Sequence, residues 1–191
     1  MQKSRLEAFS DGVIAIIITI MVLELKVPHD PSPQALLELW PVFLSYALSF
    51  VNVAIYWQNH HHLLHTAKRV DGRILWANTH LLFWLSLLPF TTGWMGENEF
   101  ARWPVILYGV DLLACGAAYF ILSKEILRKE GPNSDLAKAV GADRKGQIAP
   151  VAYVAAIGLA FVNPLIAGAI YLGVALMWLI PDRRIERVLG Q

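Results

Sequence analysis

The chain has 191 residues, 56% hydrophobic and only 16% charged, with a mean hydropathy of +0.47. Soluble domains carry about 25% charged residues, so this balance points to a lipid bilayer. A net charge of +1 argues against a general nucleic-acid binder, and the single cysteine, Cys115, cannot form an intrachain disulfide.

In chain order, apolar stretches alternate with charged or Pro/Gly-rich breaks. They predict an all-α integral membrane protein with six transmembrane helices, at about 5–26, 36–64, 73–95, 104–127, 148–162 and 164–181, in one domain spanning 1–191. The first opens on Arg5-Leu6-Glu7-Ala8-Phe9-Ser10-Asp11-Gly12 and runs into Val13–Leu23. Asp11 before the apolar core, and no small-residue cleavage site after it, argue against a signal peptide. Pro28-His29-Asp30-Pro31-Ser32-Pro33 separates the first helix from the second, which ends in a histidine cluster, His60-His61-His62 and His65. Gly96-Glu97-Asn98-Glu99 ends the third. The fourth holds Asp111, expected in an interhelical hydrogen bond, and Cys115, expected in helix packing. The polar segment 124–145, with Gly131-Pro132-Asn133-Ser134 inside it, reads as a solvated connector, and Asn163-Pro164 as a tight turn between the last two helices.

Charge distribution orients this map. With both termini in the cytoplasm, Lys3, Arg5, Lys68, Arg69, Arg73, Lys124, Arg128, Lys129, Lys138, Arg144, Lys145, Arg183, Arg184 and Arg187 fall inside. Only Lys26 and Arg102 of the sixteen basic residues fall outside, which satisfies the positive-inside rule. Trp40, Trp94 and Trp103 then mark the outer interface, Trp76 and Trp178 the inner one. The expected location is the cell membrane, multi-pass.

Within the first helix, about 100° per residue puts Arg5, Phe9, Gly12, Ile16, Ile20 and Leu23 on one stripe, with Thr19 on its flank. Asp11 lies off it, in line with Ala15, Ile18 and Val22, as suits a carboxylate that caps or braces helices. Nearly every residue is apolar, so periodicity does not say which face meets lipid, protein or a lumen.

Arg5-x-x-x-Phe9-Ser10-Asp11, the isoleucine-rich run and Leu23-Glu24-Leu25 resemble the signature of the transmembrane protein 175 family, the lysosomal potassium channel and its bacterial relatives. Further pieces match in order: Tyr56-Trp57-x-x-His60-His61, Asp71, Trp76-x-Asn78 and Leu88-Pro89-Phe90-x-Thr92. The resemblance implies a homotetramer whose first helices line one central pore, with potassium as the permeant ion, weakly preferred over sodium. It implies a hydrophobic constriction at Ile16, with Thr19, Ile20 and Leu23 as further pore positions. It also implies an interhelical polar network of Arg5, Phe9, Ser10, Asp11, His61 and Asn78. No Thr-Val-Gly-Tyr-Gly filter loop occurs, so a carbonyl cage for dehydrated ions is not expected.

Two other chemistries weigh less. His61 and His65 are four apart, as metal ligands on a helix are, but one such cluster at a helix end suits an interfacial role better, and no metal or cofactor is expected. A secondary cation or proton-coupled transporter, with Asp111 as a relay, is the alternative, though residues 1–95 and 96–191 show no convincing repeat. Without nucleophile or phosphate-loop motifs, an enzyme is not expected.

Overall fold

In the computed structural model, which describes residues 2–131, 134, 137 and 144–179, the described residues form helices and connections with no strand. Helix α1 spans Lys3–Met21 and tightens into a 3-10 turn at Val22–Glu24. A short helix α2, Pro33–Glu38, precedes α3, Trp40–Thr66. Then follow α4, Gly72–Leu85; α5, Leu88–Glu97; α6, Arg102–Glu130; α7, Arg144–Leu159; and α8, Pro164–Leu179.

Local chemistry sets these boundaries. Ser32 caps α2 by accepting from the Ala35 N–H at 3.3 Å, and Pro33 supplies a pre-set first turn. Asp71 caps α4, accepting from Arg73 and Ile74 N–H at 3.0 and 3.1 Å. The Ile74 N–H, together with Lys129, holds the Asp71 carboxyl below the ordinary carboxylate range. Gly131 ends α6 at φ +90°, where its N–H closes onto the Leu127 carbonyl at 2.9 Å.

Three expectations are corrected. The third predicted helix divides at Ser86–Leu87, because Pro89 has no N–H for the Leu85 carbonyl and its ring crowds that carbonyl. The second begins at Trp40 rather than residue 36, since the proline-led turn before it forms the separate α2. The fourth continues through the start of the expected connector to Glu130, supported by Arg128 on Glu125 at 2.8 Å and by Lys129 on Asp71 at 3.3 Å. Most of the remaining connector, with Lys138, lies outside the described residues, as do Arg183, Arg184 and Arg187.

Among the described residues four stretches are long and apolar enough to cross a membrane: Lys3–Glu24, Trp40–Thr66, Gly72–Glu97 and Arg102–Glu130. Helices α7 and α8 have 16 residues each, about 24 Å of helix against a hydrocarbon core of about 30 Å.

Helix α6 is central, packing against α4, α5, α7 and α8, while α1 lies on α3, α4 and α5. The buried side of α6 includes Val105, Tyr108, Leu112, Cys115, Leu122 and Ile126, so Cys115 is a core residue between helices. Close approach of α5 to α3 depends on Gly96: a Cβ there would lie 2.8 Å from the Val42 Cα and 3.1 Å from the Ser45 Oγ. Gly96→Ala should therefore push the two helices apart and cost about 1–3 kcal/mol, read as a lowered Tm in detergent, whereas Gly168→Ala, with nothing within 4 Å, should leave the Tm in place.

Candidate functional site

The two faces of α1 differ. Leu6, Ser10, Ile14, Ile17 and Met21 are buried against the bundle. The opposite stripe of Phe9, Gly12, Ile16, Ile20 and Leu23 is exposed, Ile16 at 57% and Leu23 at 75%. Hydrophobicity alone does not choose this rotation, because both stripes are apolar.

A buried polar chain chooses it. The Ser10 hydroxyl donates to the Leu6 carbonyl at 2.9 Å and therefore accepts from Asn78 Nδ2 at 3.0 Å. With its N–H engaged, Asn78 presents Oδ1 to His60 Nε2 at 2.6 Å, so that ring nitrogen carries the hydrogen. All three side chains are buried, and they tie α1, α4 and α3 together.

The sequence-predicted network residues thus separate. Ser10 and Asn78 meet, and their histidine partner is His60 rather than His61. His60 lies on the inward side of α3 with Leu63 and Leu64; His61, about 100° further round, is exposed and stacks near Trp57 and His65. Asp11, half-buried, makes a separate link, accepting from Trp57 Nε1 at 3.0 Å. Phe9 and Arg5 are exposed, and the Arg5 side chain forms no hydrogen bond or ion pair among the described residues, although its backbone N–H donates to the Gln2 carbonyl at 3.2 Å. Trp57 escaped sequence reasoning as a partner, although an indole N–H on α3 was the available donor for an off-stripe carboxylate.

Thr19 is also exposed, but its hydroxyl donates back to the Ala15 and Ile16 carbonyls at 3.1 and 2.9 Å, leaving only its oxygen facing outward. Beside the stripe, α1 and α5 enclose a groove of about 580 Å³ bordered by Ile16, Ile20, Glu24, Phe90, Trp94 and Glu97. At its Glu24 end Glu97 pairs with Lys26 and holds that ammonium above the ordinary lysine range.

Deeper in the bundle, a second polar layer joins α3, α5 and α6. Thr92 donates to Ser49 at 2.6 Å, Ser49 to the Tyr108 hydroxyl at 3.0 Å, and Asn52 Nδ2 to the same hydroxyl at 3.3 Å. Nearby, Asp111 Oδ2 lies 3.0 Å from the Thr91 hydroxyl, the interhelical contact expected of it. Among the described residues no group of three or more His, Cys, Asp or Glu side chains is arranged to hold a metal ion. Polar pairs and an apolar exposed stripe suit passage or packing, not bond-making chemistry.

Comparison with known proteins adds a family context. The family described as endosomal/lysosomal potassium channel TMEM175 matches residues 5–89. A potassium channel of Chryseobacterium sp. (strain P1-3) is 55% identical over 191 residues, all of both chains. A potassium channel of Chamaesiphon minutus is 31% identical, covering 85% of this chain and 86% of the relative. The crystal structure of a lysosomal potassium-selective channel TMEM175 homolog from Chamaesiphon minutus superposes with a TM-score of 0.84 at 28% identity, over 93% of this chain and 96% of that one.

The rotation of α1 yields a stability prediction. Asn78→Ala leaves Ser10 and His60 without their partner inside the bundle and should cost about 1–3 kcal/mol. Trp57→Phe, which frees only a half-exposed carboxylate, should cost less; unfolding in detergent micelles compares the two.

Proposed function

Because the chain belongs to the TMEM175 family, and is a channel rather than an enzyme, we propose that it conducts potassium, with a weak preference over sodium, across the cell membrane. In this reading four copies assemble around one axis, each contributing α1 to the pore wall, with six spans per copy and both termini in the cytoplasm. One observation carries it. The outward stripe of α1 is a continuous apolar face, exposed among the described residues of the protomer, on a helix whose rotation is fixed by Ser10, Asn78 and His60. Four such faces enclosing a lumen explain both the exposure and the fixed rotation; the channel names of the relatives and the fold of the Chamaesiphon homolog support the same assignment.

Ile16 is then the narrowest ring. Four isoleucine side chains closing on an axis exclude water by dewetting, and a slight opening favours the cation that sheds its hydration more cheaply. Potassium holds its water less tightly than sodium, so a hydrophobic ring gives selectivity of modest size. Ile20 and Leu23 form further rings toward the outer side, and Thr19 offers an oxygen layer beside the constriction, its hydroxyl hydrogen already engaged. Arg5, Phe9 and Asp11 act at the cytoplasmic end as supports of the helix rather than as ion ligands; Asp11 bonds to Trp57 instead of facing the stripe. His61 belongs to the interfacial aromatic cluster.

Reversal potentials in potassium and sodium gradients test the assignment. Ile16→Asn should hydrate the constriction, raise conductance and shift the reversal potential toward that of an unselective cation pore. Unchanged conductance and selectivity would remove Ile16 from the filter. Flux from potassium-loaded liposomes should follow the gradient alone; a requirement for a counter-substrate would favour a transporter.

A further inference from the structure

Asp111 is only 3% exposed, yet among the described residues its Oδ1 has no hydrogen-bond partner. Among the described residues its Oδ2 has one hydrogen-bond partner, the Thr91 hydroxyl at 3.0 Å, and that hydroxyl also lies 3.3 Å from the Leu88 carbonyl oxygen. Among the described residues no basic side chain forms an ion pair with this carboxyl group.

An ionised Asp111 fits these contacts badly. Two charged oxygens would share a single donor, one oxygen would stay bare inside the bundle, and the lone Thr91 hydrogen would be divided between the carboxylate and Leu88. A neutral acid fits them well. Its proton, on Oδ2, is donated to the Thr91 oxygen, and the Thr91 hydroxyl is then free to donate to Leu88. The only unmet atom is Oδ1, an uncharged carbonyl oxygen, for which burial without a partner is far less costly than for a carboxylate.

We propose that Asp111 is a proton-binding site, carried as a neutral carboxylic acid that donates to Thr91 and so clasps α5 to α6. The ligand is a proton alone, and it is held rather than relayed: among the described residues Oδ1 has no hydrogen-bond partner, and the Thr91 hydroxyl that accepts from Oδ2 leads on only to the Leu88 carbonyl. The assignment does not depend on potassium conduction. Loss of the proton leaves a charge in the core and loosens the clasp on α5, the helix that walls the groove beside Ile16 and Ile20.

The titratable groups around Asp111 do not confuse this reading. Tyr108 and Cys115 lie on α6 itself and Tyr56 on α3. Tyr153 on α7 and Tyr171 on α8 stand beyond, against Tyr108 or each other. On α4, Arg73 and His80 are exposed; on α5, Glu97 sits at the far end with Lys26; on α7, Lys145 sits at the start. Phenols and a thiol stay neutral below about pH 8.

Infrared spectra of the protein in lipid vesicles, taken at about pH 5 and about pH 7, test the proposal. A protonated-carboxyl band should be present at both and vanish in Asp111→Asn, whose amide preserves the bond to Thr91. Thr91→Val should shift that band, since the acid loses its acceptor, and this arm serves even where Asp111→Asn fails to fold. Absence of the band in the unaltered protein at about pH 7, its persistence in Asp111→Asn, or an unshifted band in Thr91→Val would overturn the assignment.

Discussion

The hydrogen-bond chain from Ser10 through Asn78 to His60 decides what the first helix presents to the outside. In lipid, apolar side chains gain little by facing protein rather than acyl chains, so a helix like Val13–Leu23 has no strong hydrophobic preference for its rotation. Buried polar groups do have one, because an unpaired amide or hydroxyl has no water to turn to. Ser10 must face Asn78, and with that contact made, Ile14, Ile17 and Met21 turn inward. Phe9, Gly12, Ile16, Ile20 and Leu23 are then turned outward. The motif that identifies the family is thus an anchor in part, and the plain isoleucines beside it take their orientation from that anchor.

The same logic recurs deeper in the bundle. Ser49, Thr92, Asn52 and Tyr108 join three helices through hydroxyl and amide groups, with no ion pair among them. Thr91 and Asp111 link α5 to α6 one residue away from that layer. Helix α5 is therefore held on its inner side by polar contacts and by the close approach at Gly96, while its outer side, with Phe90 and Trp94, borders the groove against α1. The break at Ser86–Leu87 separates this half-helix from α4. Its polar contacts to α3 and α6 are separate from the Ser10–Asn78–His60 anchor, and its other side borders the groove beside the Ile16 stripe.

Much of the helical layout was legible in the sequence, because long apolar runs bounded by prolines, glycines and charges locate helices directly. Pro89 carries the signal for the break after Ser86, hidden by the apolar run around it; Ser32-Pro33 carries that for α2, whose end at Glu38 lies so close to Trp40 that the two helices read as one. Thr91 and Asp111 meet as an interhelical contact of the kind expected for Asp111. Rotation was the part that spacing left open: the wheel collected Ile16, Ile20 and Leu23 on one stripe without saying which way it faced. Motif order had the same weakness on α3, where adjacent histidines differ by about 100° and only His60 reaches Asn78. Trp57 as the partner of Asp11 depends on the seating of α1 on α3, which no local pattern encodes.

The proposed conduction path requires the outward stripe of α1 to line water in the assembled protein. Single cysteines along α1, probed during current recording with a small water-soluble thiol reagent, test this directly, since the native Cys115 is buried. Modification that alters current at positions 12, 16, 20 and 23 and spares 14, 17 and 21 is the predicted pattern. Reaction at the inner stripe, or no reaction at positions 16 and 20, would contradict it.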